Sequence, residues 1–119
     1  MARNAPSVDA YGDGGFRLSG ARHEGSVLIV QDQARPWSVR SLAELTPESL
    51  AEVIALGPRE VEFVLLGVGL TNAQPPRPVR EALARAGIGL EFMDTATAAR
   101  TYNLLTAEGR RLAAALIAI

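Results

Sequence analysis

The sequence contains no cysteine, no lysine and a single histidine, His23, in 119 residues. The missing cysteine excludes a thiolate nucleophile, a disulfide framework, a cysteine-ligated zinc and an iron–sulfur cluster. The missing lysine excludes a Schiff-base amine and a Walker-type phosphate lysine, and all twelve cations are arginine. One imidazole is too few for a multi-histidine zinc site. No metal and no cofactor is therefore expected, and the residues alone name no reaction. Long apolar runs are also lacking. The longest, 112–119, has eight residues, well short of the roughly 18 that suggest a membrane span. Residues 1–6 carry no apolar leader segment. The expected location is the cytoplasm, with no membrane span. A pI near 5.8 gives no basic footprint for nucleic acid, so none is expected as a partner.

What is present fits one globular α/β domain over 1–119: 48% hydrophobic and 21% charged residues, with a net charge of −1. The charge is uneven. Residues 1–71 hold six arginines against nine acids, and 72–119 hold six against four, so the C-terminal part is mildly basic.

Residues 1–15, polar and glycine-rich, read as an irregular N-terminal arm. Phe16-Arg17-Leu18 and Ser26–Gln31, separated by a 20–25 turn carrying His23, read as an N-terminal β-hairpin. Residues 32–36 read as a loop, with Trp37 and Tyr11 as aromatic lids over the core edge. Thr46, Pro47 and Glu48 form a helix start, and Leu50, Val53 and Ile54 supply its apolar stripe before Gly57-Pro58 ends it. Residues 61–66 are almost wholly apolar, which marks a central parallel strand. A second helix from 78 to 86, a strand at 88–92 and a third helix from 96 to 107 follow. The run 112–119 has no polar face, and a buried strand is preferred to a helix there. Strands alternating with helices give an α/β fold with crossover connections.

In such sheets ligands bind beyond the carboxyl ends of the parallel strands. Three segments meet that description: Arg40 and Ser41, the 67–74 loop, and the turn 93–97. Gly67 and Gly69, with Thr71 behind them, let backbone approach a neighbour closely, but a third glycine is missing and no dinucleotide fingerprint results. Asp94 and Thr95 open the third helix, where free N–H groups attract anions, although a capping carboxylate competes. On that helix Ala98, Thr101, Tyr102 and Leu105 form the core side. Arg100, Asn103 and Leu104 form an outward patch suited to a protein partner.

The stretches Tyr11-Gly12, Gly15-Phe16, Gly25-Ser26-Val27-Leu28, Trp37, Leu66-Gly67-Val68-Gly69, Met93-Asp94-Thr95, Arg100-Thr101-Tyr102-Asn103 and Glu108-Gly109-Arg110 carry a resemblance across nearly the whole chain. The sequence resembles the small conserved family of unknown function that includes mitochondrial respiratory complex I assembly factor 3 and uncharacterised bacterial and archaeal proteins. That resemblance implies a three-layer (β+α)/β/α domain with a mixed central sheet. It also implies an assembly role with a protein partner, such as an intermediate of a respiratory complex, rather than catalysis. Where the family commonly has Gly-Thr-Gly, this chain has Val68, and where a cysteine often precedes the Arg-Thr-Tyr-Asn block it has Ala99. Both changes remove groups suited to chemistry. The expected role is a non-catalytic protein-interaction domain using Gly67, Gly69, Thr71, Asp94, Thr95, Arg100, Tyr102 and Asn103. The alternative is small-ligand or anion binding by the 67–72 loop and the start of the third helix. A third reading makes Asp94, Tyr102 or arginine residues the acid–base groups of an enzyme.

Overall fold

The computed structural model describes residues 5–119. The strands are β1 (Val8–Gly12), β2 (Gly15–Leu18), β3 (Ala21–Glu24), β4 (Ser26–Val30), β5 (Gln33–Trp37), β6 (Phe63–Gly67), β7 (Gly89–Met93) and β8 (Leu112–Leu116). The α-helices are α1 (Ala51–Leu56), α2 (Arg77–Arg85) and α3 (Thr95–Ala107). A 3₁₀ turn, Pro47–Leu50, leads into α1, and Thr46 caps it by a reciprocal pair of hydrogen bonds with Ser49.

The central sheet has the order β5-β4-β8-β6-β7. β6 pairs parallel with both β7 and β8, while β4 pairs antiparallel with β5 and β8. The sheet is mixed, as expected. Strand β8 reads Leu-Ala-Ala-Ala-Leu and is buried throughout. Strong helix formers are held extended here because this position lies between two strands and under helices on both faces. Tertiary burial overrides the local propensity.

Each face of the sheet has its own core. On one side Val64, Leu66, Ala113 and Ala115 pack with Val53 of α1 and Val79 and Leu83 of α2. On the other, Leu65, Ala114 and Leu116 pack with Ala98, Ala99 and Tyr102 of α3 and with Val8, Phe16 and Leu18 of the outer strands. The helices divide this way because the chain moves outward from β6 to β7 through α2, then reverses over β6 to β8 through α3. Crossovers of one hand must change face when their direction changes. The result is the expected (β+α)/β/α arrangement.

The N-terminal region departs from the sequence reading. Residues 8–12 of the supposed arm form β1, and 1–4 lie outside the described residues. An N-terminal antiparallel hairpin is present, but it does not join Phe16-Arg17-Leu18 to Ser26–Gln31: β2 pairs with β1 and β3 in a separate three-stranded sheet, and Ser26–Val30 is β4 of the central sheet. The supposed turn at 20–25 is itself a strand, in which His23 faces Phe16. Strand β5 occupies the supposed loop at 32–36 and pairs with β4. Three two-residue turns fix this pattern: Asp13-Gly14, Ser19-Gly20 and Gln31-Asp32. All six residues have positive φ, the requirement of the type I′ turn that matches strand twist. Trp37 does cover the core edge, its indole N–H donating to the Ser49 carbonyl at 3.0 Å.

Candidate functional site

The exits of β6 and β7 lead to opposite faces of the sheet, so the crevice between them is where an open α/β sheet ordinarily takes a ligand. Gly67, Gly69, Asp94 and Thr95 meet there. The Val68 N–H donates to the Met93 carbonyl at 2.9 Å, and the Thr95 N–H to the Gly69 carbonyl at 2.8 Å. The Thr95 hydroxyl accepts from the Gly69 N–H at 3.0 Å and donates to the Ile117 carbonyl at 2.7 Å. Thr95 is fully buried. A Cβ at Gly67 would stand 3.0 Å from both Cα and Oγ1 of Thr95 and 3.1 Å from Leu116. Gly67 is therefore a glycine for lack of space, and the crevice is closed by a threonine that joins the exits of β6 and β8 to the start of α3.

Asp94 is the cap of α3. Its Oδ2 accepts from the Thr97 N–H at 3.0 Å and its Oδ1 from the Thr97 hydroxyl at 2.8 Å. These two donors, the backbone one first, with Arg100 adding a smaller field, hold the carboxyl below its ordinary value. Asp94 is thus a stable anion, the opposite of what a general acid near neutral pH requires. The N–H groups of Thr95, Thr97 and Ala98 already have acceptors, so most of the donor set an anion would use is engaged.

The two departures from the family pattern fall in the core. Val68 is buried on the α1–α2 side and Ala99 on the α3 side. A hydroxyl or thiol at either place would face packed side chains rather than the rim.

The remaining candidates separate. Tyr102 is buried beneath α3, as the helix periodicity requires. Asn103 is turned sideways: its Oδ1 accepts from the Val8 N–H and its Nδ2 donates to the Val8 carbonyl, both at 2.8 Å. The side chain fastens β1 to α3. Thr71 lies exposed in the loop beside Leu70, which is 81% exposed. Arg100 stays exposed on the outer face of α3, and its Nη1 donates to the Tyr11 hydroxyl at 3.0 Å. Leu104, one turn on from Arg100, is 61% exposed. Tyr11 is thus no lid over the core. It joins Arg100 and Leu104 on one surface, and it was missed because its place depends on β1. Among the three expected rim segments, Arg40 borders a groove shared with Ser26, Gly14 and Ala118, on the side of the rim away from β7.

The fold and site define a three-layer α/β domain whose ligand crevice is sewn shut and whose outer helix face is exposed. Among the described residues no helix is long and apolar enough to cross a membrane. Residues 8–117 match the family described as protein of unknown function (DUF498/DUF598), and the chain belongs to that family. It is 40% identical over 110 residues to an uncharacterised protein of Rhodobacter capsulatus, covering 92% of this chain and 82% of that one. It is 34% identical over 116 residues to the human NADH dehydrogenase [ubiquinone] 1 alpha subcomplex assembly factor 3, covering 98% of this chain and 62% of that one. The chain thus spans about three fifths of the length of that assembly factor. A crystal structure described as an outer membrane protein from Bartonella henselae superposes with a TM-score of 0.87 at 33% identity, covering 96% of this chain and 95% of that one.

Proposed function

We propose that this domain is a non-catalytic protein-interaction module that assists assembly of a respiratory NADH dehydrogenase. Homology to complex I assembly factor 3 supports an assembly-factor-like role. The observation that carries the interaction reading is the closed crevice. Thr95 and the backbone of Gly67–Gly69 spend their polar groups on one another, and what remains outward is Arg100, Tyr11 and Leu104 together with Leu70 and Thr71 at the loop. A cation beside exposed apolar side chains is the composition of a protein-contact surface. In this reading Arg100 touches the partner, Gly67, Gly69, Asp94 and Thr95 hold the rim, and Tyr102 and Asn103 hold α3 and β1 beneath the surface. The location is the cytoplasm.

The test is affinity purification of the tagged chain from its native host, with quantitation of NADH dehydrogenase subunits against an Arg100→Glu variant. Enrichment of those subunits, falling about tenfold in the variant, a loss typical of a central interface arginine, is the expected result. If no subunit is enriched, or the variant enriches them equally, the assignment to this face fails.

A further inference from the structure

The two edges of the central sheet are not alike. Strand β5, at one edge, carries Arg35 and Pro36, the residues that ordinarily block pairing with another chain. Strand β7, at the other, reads Gly-Leu-Glu-Phe-Met, with no proline and one charge. Its parallel ladder with β6 begins with the Gly89 N–H on the Glu62 carbonyl and ends with the Val68 N–H on the Met93 carbonyl. Peptide groups alternate in direction along a strand. Those of Gly89, Glu91 and Met93 therefore face β6, and the N–H and C=O groups of Leu90 and Phe92 face outward. Two donors and two acceptors stand in register at this edge.

Beside the edge, on the α3 side, lies a groove of about 290 Å³. Phe63, Leu65, Met93 and Leu105 line its apolar part, and Glu91 and Arg110 stand at its margin. The Arg110 guanidinium lies over the Phe63 ring, 5.1 Å from its centroid. Glu91 is exposed and pairs in register with Leu65, so it stands on the groove side of the sheet.

A second copy of the chain is a poor occupant. The antiparallel register that uses all four outward groups sets Leu90 against Phe92 and Phe92 against Leu90. It then places Glu91 directly opposite its own copy, in the non-hydrogen-bonded position where side chains are closest. Like charges so placed oppose pairing. A strand with a cation at that position meets the same groups favourably.

We infer that the β7 edge accepts an extended segment of a different protein as a sixth strand, with an arginine or lysine opposite Glu91 and apolar residues on either side of it. Such strand addition draws affinity from main-chain hydrogen bonds and specificity from alternate side chains. The inference rests on the reading of the domain as a protein binder, but not on the Arg100 face, which lies on a different element.

The experiment is an NMR titration of the isotope-labelled protein with two synthetic nonapeptides. One is Thr-Thr-Val-Val-Arg-Val-Val-Thr-Thr, which sets valines on both faces beside the arginine, and the other has glutamate in the central place. The arginine peptide is expected to shift and protect the Leu90 and Phe92 amides. The glutamate peptide should bind about fivefold more weakly, and Glu91→Arg should reverse the order. Three outcomes overturn the inference: no change at Leu90 and Phe92 at millimolar peptide, equal binding of both peptides, or concentration-dependent protection of those amides without peptide, which would make a second copy the occupant. Because the titration reads β7 alone, its failure leaves the Arg100 capture experiment to stand or fall separately.

Discussion

One hydroxyl, that of Thr95, serves two backbone segments in a fully buried place. Thr95→Val keeps the shape but strands the Gly69 N–H and the Ile117 carbonyl. It should cost about 2–4 kcal/mol in urea unfolding, whereas Thr95→Ser, which retains the hydroxyl, should cost about 1 kcal/mol. Asp94 predicts a pH dependence. Its carboxyl is held below the ordinary value by Thr97, so its contribution to stability is complete above the usual carboxylate range and disappears as pH falls through the folded value. Asp94→Ala should therefore lower the thermal midpoint at neutral pH. Melts of variant and parent should converge in acid. The contact between Gly67 and Thr95 was foreseeable at this scale, because a glycine leaving a buried strand and a capped helix start after the next strand fall on one rim. That the site would be closed was not foreseeable. It depends on a three-way hydrogen bond between residues 22 and 26 apart in sequence.

Among elements, the segments with a strong apolar rhythm were legible: β6, the three helices and the extended state of β8. The outer sheet was not. Strand β3, Ala-Arg-His-Glu, has no fully buried residue and β1 buries only Val8 fully, so neither shows the alternation by which strands are recognised. The readable signal was in the turns, Asp13-Gly14 above all. Two elements can be tested directly. Asn103→Ala removes both bonds to Val8 and should cost about 1–2 kcal/mol, with faster hydrogen exchange along β1 and little change in β6. Ala114→Leu adds bulk to a fully buried position and should cost about 1–3 kcal/mol by overpacking, read as a lower denaturation midpoint with the α3 side most disturbed.

For the whole molecule, the consequence of interest comes from where β8 sits. Residues 112–116 separate the β4–β5 pair from the β6–β7 pair and are, among the described residues, the only strand that touches both. While a nascent chain is still on the ribosome, neither half has a neighbour to close against until this last strand has emerged. Long-range pairing of this kind is slow to form and leaves apolar strand faces uncovered in the interval. Interrupting synthesis before residue 112 should thus yield a product that is cleared by proteases or held by chaperones, and one sensitive to limited proteolysis throughout, rather than a smaller folded core.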